Sequence, residues 1–341
     1  MILRRREYLC RMWMESSKLQ RITPLLLLDF QNITRKFWTT YLDSKNMTQR
    51  NIDDFHGSYE NFQDPAFAAI FARTMRLHVV RPDGLVLLLS HKPLLGYMNG
   101  LLGSPEVIAP FTHWQEMIHG LNFAYLKVIT TERIDLWQCY CVSPPDNHNM
   151  LLDLSLDEEG LFASFTKNCR WAIRSGKRKG VIVREAESEK DLRAFYQIVL
   201  VTSDCGRNFD LWPINLIGEL LRSKYAKLFV AVWEGRLVGG TFYLLSRHYM
   251  HGFFCGIEPA ARQLAAGNLL YYEGALWGMA HGFKYLDFGQ QGLRENPGIA
   301  KFKMSFNPIL KPEYVYCVPG SRIKCRLIDF KKFIKSRQGR R

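Results

Sequence analysis

The chain has 341 residues, 47% of them hydrophobic and 23% charged, with 46 Lys and Arg against 32 Asp and Glu for a formal net charge of +14. This is the composition of a folded globular protein, it excludes long disorder, and the length fits two domains better than one. The excess of positive charge points to an anionic partner: nucleic acid, a phosphate-bearing cosubstrate or a membrane surface.

Residues 1–21 carry a net +4, but no apolar stretch adequate for a signal peptide follows. The longest apolar run, residues 85–102, is broken by His91, Lys92 and Pro93. It is too short and too interrupted to span a bilayer, so the expected location is the cytoplasm. Residues 77–81 and 85–89 read as strands around the turn Pro82-Asp83-Gly84. A helix is predicted over 112–119, ending at His119-Gly120, then a strand over 123–129. Ser143-Pro144-Pro145-Asp146 reads as a boundary loop. The eight cysteines are scattered without a C-x-x-C, so buried thiols are expected and no metal site.

Ser155-x-x-Glu158 has the spacing of a capping box, and Leu161, Phe162, Phe165, Cys169, Ala172 and Ile173 continue at helical spacing. Lys167, Arg170, Arg174 and Arg178 fall on another face of that helix. Residues 167–184 contain seven basic residues and no acid. Such a stripe is either a solvated face or a grip for phosphate or carboxylate groups. Ser188-x-x-Asp191 opens the next helix, and Pro213 starts another. Strands follow over 228–233, 237–245 and 249–257, with Glu234-Gly235 as a hairpin turn. A helix over 267–280 ends at Gly282, a strand runs over 284–288, and a glycine-containing loop covers 289–298. The last 22 residues carry a net +8. Ile323, Leu327, Phe330 and Ile334 draw one apolar stripe there on a basic helix. It is a terminal helix docked on the domain or a contact for anionic lipid or RNA. Outside these three basic segments the chain is slightly acidic, so the charge marks local sites.

The halves echo each other. Met117-Ile118-His119-Gly120 precedes a strand with Tyr125-Leu126, and Met279-Ala280-His281-Gly282 precedes one with Tyr285-Leu286. The hairpin glycines 84 and 235 lie upstream in the same order, which predicts a duplicated domain.

Residues 155–307 resemble the FemAB-like branch of the GNAT acyltransferase superfamily. The resemblance rests on the helix Asn168-Cys169-Arg170-Trp171-x-Ile173-Arg174 with its following Lys-Arg-Lys-Gly, on Tyr285-Leu286-Asp287-Phe288-Gly289, and on the closing Gly298-Ile299-Ala300-Lys301-Phe302-Lys303-x-x-Phe306. It implies an α/β protein with mixed sheets and two tandem GNAT-like domains. The expected division is 1–150 for a degenerate first domain, 151–318 for the acyltransferase domain, and 319–341 for a basic amphipathic tail. The implied activity is transfer of an acyl or aminoacyl group to a primary amine, in a role such as cell envelope biogenesis. No tightly bound cofactor is expected. The donor is a co-substrate: aminoacyl-tRNA, acyl-CoA or an acyl carrier protein. The alternatives are an N-acyltransferase strictly dependent on acyl-CoA or acyl carrier protein, and a non-catalytic module binding RNA or anionic lipid. The basic tail adds an expected peripheral contact with the inner face of the membrane.

Amide formation requires an amine that loses a proton, a stabilised oxyanion and two substrates held together. Lys303 matches the Lys of the family's Phe-Lys pair and is the expected oxyanion cation. Phe302 is expected against the donor. Lys301 and Lys303 otherwise read as a solvated strand edge. Asp287 ends a strand at a glycine and orients the amine, accepts its proton or caps the turn. His251 is either a base or a hydrogen-bonded core residue. Tyr271 and Tyr272 open a helix, one expected in the core and the other free to donate a proton. Arg170 and Arg174 are candidates for donor charge. The superfamily's phosphate loop, Gln/Arg-x-x-Gly-x-Gly/Ala, corresponds to Arg262-Gln263-Leu264-Ala265-Ala266-Gly267, with Asn268 beyond it. Ala265 stands where the pattern has glycine, which predicts a degraded phosphate cradle.

Overall fold

The computed structural model describes residues 60–338, apart from 106–107, 110, 119, 132, 135–139, 142–146, 203–210 and 293–296. The basic segment at 1–21, His119 and the boundary loop at 143–146 lie outside the described residues. In chain order the elements are α1 (Pro65–Met75), β1 (His78–Val80), β2 (Leu87–Lys92), β3 (Gly96–Gly103), α2 (Phe111–Ile118), β4 (Tyr125–Thr130), β5 (Tyr140–Cys141), β6 (Asn147–Asp153), α3 (Glu158–Ser164) and α4 (Lys167–Arg178). They continue with β7 (Ile182–Glu185), α5 (Glu189–Thr202), α6 (Ile214–Leu221), β8 (Ala226–Trp233), β9 (Arg236–Leu245), β10 (Tyr249–Ile257), α7 (Ala266–Ala280), β11 (Tyr285–Gly292), α8 (Pro297–Met304), β12 (Ile309–Pro312), β13 (Tyr314–Pro319) and α9 (Arg322–Gln338).

Two mixed sheets carry the same motif. In the first, β1, β2 and β3 form an antiparallel meander, α2 crosses over, and β4 lies parallel to β3. In the second, β8, β9 and β10 form the meander, α7 crosses over, and β11 lies parallel to β10. The helix is required because parallel neighbours cannot be joined by a tight turn. The echoed residues occupy matching places. Gly84 and Gly235 both sit at positive φ in the first connection of each motif, and Gly120 and Gly282 both do so after the crossover helix. Glu234 and Gly235, at φ 50° and 74°, make the two-residue turn that suits the twist of a hairpin. The fold is thus mixed α/β, with two halves built on the same motif.

The halves exchange strands. β6 follows the first motif in sequence but pairs antiparallel with β11 of the second. β13 follows the second motif but pairs with β4 of the first, from Tyr314 opposite Thr130 to Pro319 opposite Tyr125. A division at residue 150 therefore runs through β6, and residues 314–319 belong to the first sheet.

One core joins the sheets. Phe67 and Phe71 of α1, Phe195 and Val199 of α5, Phe242 and Leu244 of β9, Leu88 of β2 and Val315 of β13 belong to a single buried cluster. The other face of β9 sends Tyr243 and Leu245 into a second cluster with α3, α4 and α7. Burial on both faces explains why β9 reads as an apolar run instead of an alternation.

Several local expectations are corrected. The run 85–102 is the β2–β3 hairpin, and the third strand of the first meander was not foreseen. The predicted single helix from Ser155 is two helices. Asp157, not Ser155, caps α3, its carboxylate accepting the Gly160 N–H at 2.8 Å. The Ser155 N–H instead donates to Asp153. The chain breaks at Phe165, and Thr166 caps α4 by accepting the Cys169 N–H. Residues 297–304 form a helix, so Lys301 and Lys303 lie on no strand edge.

Phe242 is fully buried at the shared core. Phe242→Ala is expected to lower the unfolding free energy by about 3–5 kcal/mol, read from denaturant titration, because the cavity cannot collapse between two sheets.

Candidate active site

β10 and β11 pair over only three positions, ending with His251 opposite Asp287. Beyond that pair β11 loses register, with an irregularity between Asp287 and Gln290 against β6. Gly289 takes φ 74° there, a conformation that a side chain disfavours. The strands separate, and the residues at the fork face the gap that opens. In the first sheet β3 and β4 stay paired over five positions, with no His–Asp pair between them.

Asp287 is fully buried, and its carboxylate is held from two sides. Oδ1 accepts the Gly289 N–H at 2.7 Å, and Oδ2 lies 2.9 Å from His251 Nδ1. An ionised Asp287 keeps the imidazole proton on Nδ1, which leaves the Nε2 lone pair free to accept a proton. His251 Nε2 and Cε1 lie beside Gly289, within 3.4–3.7 Å of the place a Cβ would occupy. A side chain at 289 would touch the imidazole edge in ordinary van der Waals contact, so the positive φ is what favours glycine there.

Lys303 of α8 closes the group. Its Nζ lies 3.5 Å from the Gly289 carbonyl oxygen. Burial of the ammonium lowers its pKa to about 8, against the opposing attraction of Asp287 and Cys255. At neutral pH it is therefore mostly charged, with its neutral form within reach. Cys255 of β10 and Tyr271 of α7 form the far side, and burial raises both thiol and phenol. Thr241 of β9, opposite Cys255 in the ladder, donates to its sulfur at 3.4 Å. Cys255 escaped the sequence reading. Its spacing of four from His251 on one strand was the available signal, whereas its partner Thr241 is visible only in the ladder.

Tyr271 is buried, not free. Its ring packs on Phe288 at 4.9 Å, Phe302 at 5.7 Å and Phe306 at 6.0 Å between centroids. Tyr272 is buried as well and donates to Glu158 at 2.8 Å. The expectation that one of this pair stays free to donate a proton is corrected, because α7 is covered on both sides.

Phe302 reaches the start of α7, its ring 3.7 Å from the Cβ position of Gly267. The turn at Pro259–Leu264 leads into Ala265, which is left-handed at φ 58°, ψ 27°. Alanine here adopts the left-handed conformation that the pattern's glycine would take, at a cost of about 1–2 kcal/mol. No side chain caps α7, so the backbone N–H groups at Gly267 and Asn268 start a 15-residue helix with its positive dipole end open. Arg262 and Gln263 are exposed beside it, and Lys179 donates to the Gln263 carbonyl at 2.6 Å. Asn268 donates to Cys169 at 3.6 Å, which joins α7 to α4.

Two residues of the basic stripe on α4, and Lys177 beside it, have partners within the domain. Arg170 donates to the carbonyls of Ala163 and Phe165 at the end of α3. Lys177 pairs with Glu273 at 2.8 Å. Arg174 lies over the Phe162 ring. Arg170 is thereby drawn away from the donor side, while Arg174 and Arg178 remain exposed. Lys301 is exposed on α8, away from the buried group.

Residues 163–304 match the acetyltransferase (GNAT) domain family. Among solved structures, FemX has a TM-score of 0.56 at 13% identity, over 72% of this chain and 90% of FemX. A domain assigned to the C-terminal part of a lysylphosphatidylglycerol synthetase from Agrobacterium fabrum gives 0.52 at 14% identity, over 83% of this chain and 95% of that one. L-PGS from Bacillus licheniformis gives 0.50 at 13% identity, over 76% and 93%. No curated protein matches the chain in sequence. Residues 163–304 thus carry an acetyltransferase (GNAT) domain, and the fold is similar to that of FemX and of the two lysylphosphatidylglycerol synthetase structures.

Ala265→Gly is expected to raise stability by about 1 kcal/mol, because glycine takes the left-handed conformation without steric cost. Thermal unfolding of the two proteins side by side reads this out. A loss of stability would mean that residue 265 is not left-handed.

Proposed function

We propose that the protein transfers an acyl or aminoacyl group from a phosphate-bearing activated donor to a primary amine. The observation that carries this reading is the fork of β10 and β11, where the His251–Asp287 pair and the Lys303 ammonium meet around Gly289. His251 Nε2 takes the proton from the incoming ammonium, and Asp287 stabilises the imidazolium that results. The neutral amine attacks the donor carbonyl carbon, forming a C–N bond and placing negative charge on oxygen. Lys303 stabilises that oxyanion. As it collapses, the C–O or C–S bond to the carrier breaks and the imidazolium returns its proton to the leaving group; the regenerated His251 then takes the second proton from the nitrogen and releases it to solvent, leaving a neutral amide.

The donor side is the open start of α7. Backbone N–H groups at Gly267 and Asn268, with Arg262 and Gln263 alongside, suit a phosphate, and Phe302 offers an apolar surface to the acyl end. This chemistry serves an acyl-CoA, an acyl carrier protein or an aminoacyl-tRNA. The name lysylphosphatidylglycerol synthetase among the structural relatives supports including aminoacyl groups. No helix among the described residues is long and apolar enough to cross a membrane.

The test is a donor comparison in which purified protein, an amine-bearing peptide and radiolabelled acetyl-CoA, acyl carrier protein thioester or aminoacyl-tRNA are combined separately. One donor is expected to label the peptide. Lys303→Ala should lower kcat with that donor by about 10²–10³-fold while shifting thermal stability little. Because the folded ammonium has its pKa near 8, the Lys303 contribution is present below that pH and disappears as pH rises through it. The rate should therefore fall on the alkaline side of about pH 8. An alkaline rise in rate would assign Lys303 as the base, and full activity of Lys303→Ala would contradict the proposed oxyanion role.

A further inference from the structure

Helix α9 meets the first sheet with its polar side. Lys324 Nζ donates to the carbonyls of Tyr97 at 3.0 Å and Asn122 at 2.6 Å. The Cys325 thiol donates to the Ala124 carbonyl at 3.0 Å. The Tyr125 hydroxyl donates to the Asp329 carboxylate at 3.1 Å. The apolar stripe points the other way. Ile323, Leu327 and Phe330 are 74%, 46% and 63% exposed. A helix docked on a soluble domain normally turns such a stripe inward. The terminal helix is docked on the domain, through its polar side, and its apolar stripe is left outward. The side chain of Ile334 lies outside the described residues.

The β2–β3 hairpin stands next to this helix. Lys324 reaches Tyr97 on β3 and comes within 3.5 Å of the Cβ position of Gly96. The hairpin tip carries Leu94, fully exposed, and Leu95, 42% exposed. Leu94 is left-handed at φ 66°, an uncommon conformation for a bulky side chain, so an apolar residue is held outward at some conformational cost. Two elements more than 200 residues apart in sequence are thus stitched together with apolar side chains facing water on both. Basic residues border them: Lys92 on the hairpin, and Arg322 and Arg326 on the helix, all exposed. The sequence of α9 contains seven basic residues and one acid, and that acid, Asp329, is bonded to Tyr125.

We infer that this composite face docks the protein on an anionic lipid bilayer. Leu94, Leu95, Ile323, Leu327 and Phe330 enter the interface while the surrounding Lys and Arg side chains meet the lipid phosphates. Charge complementarity selects the bilayer as occupant. The face offers basic charge around shallow, separated apolar projections, which a fluid interface accommodates. A protein partner instead requires a continuous complementary surface. This inference is independent of the acyl-transfer reading, since none of these residues belongs to the fork of β10 and β11.

The test is vesicle flotation of the full chain with phosphatidylcholine alone and with phosphatidylcholine mixed with phosphatidylglycerol. The protein should float with the anionic vesicles only. Leu94→Ser and Phe330→Ser, both at exposed positions and checked for an unchanged thermal transition, should each reduce the bound fraction several-fold. Absence of flotation with anionic vesicles would overturn the proposal. So would flotation that neither variant alters, which would reduce the effect to tail charge. A concentration-dependent dimer that both variants abolish, seen by light scattering, would assign the face to a second copy of the chain and equally overturn it.

Discussion

The separation of two parallel strands organises the rest of the molecule. β10 and β11 can pair only while their backbones run side by side, and the irregularity after Asp287 ends this. Gly289 supplies the positive φ that the turn of the backbone needs, and its N–H and carbonyl face two different side chains. The N–H binds Asp287, and the carbonyl faces Lys303. A single residue without a side chain therefore couples the carboxylate to the ammonium and leaves room for the imidazole edge. The strand exchange supports this arrangement from behind. β11 is held against β10 on one side and against β6, from the other half of the chain, on the opposite side. The strand that carries Asp287 is therefore flanked on both sides.

The electrostatics follow from burial. A carboxylate with no exposure is costly unless it is hydrogen-bonded and near positive charge. Asp287 satisfies this with the Gly289 N–H, the His251 Nδ1 and the nearby Lys303 ammonium. The same burial lowers the lysine toward neutral pH, so the cation is held in place by the carboxylate and lies near its own titration point. The aromatic cluster of Tyr271, Phe288, Phe302 and Phe306 fixes α8 against α7. The lysine that follows Phe302 therefore arrives on a packed element and not on a free loop.

Much of the fold was legible in the sequence because apolar periodicity is local. The hairpin glycines, the crossover helix and the repeated His-Gly ending show the order of the duplicated motif in the sequence, although the third strand of the first meander, Gly96–Gly103, does not stand out there. His251, Asp287 and Lys303 could be named individually, but their meeting could not, since register and bulge are set by pairing across the sheet. Periodicity also could not show direction. The stripe on α9 was evident at spacings of four and three, yet the polar hydrogen bonds of Lys324 and Cys325 decide which side faces the domain. The charges of α4 misled for a related reason: the partners of Arg170 are carbonyls of α3, and carbonyls carry no signature in a sequence. The left-handed backbone of Ala265 could not be read from the sequence either, because the preceding turn and the packed start of α7 outweigh a local penalty of about 1–2 kcal/mol.

The central claim is that Asp287 holds His251 with its proton on Nδ1 so that Nε2 can serve as a base. Long-range ¹H–¹⁵N correlation of the His251 imidazole in the folded protein, above the pH at which the ring loses its second proton, tests this directly. The account predicts a protonated Nδ1 and an unprotonated Nε2, with the pattern lost in Asp287→Ala. A protonated Nε2 in the native chain would contradict it.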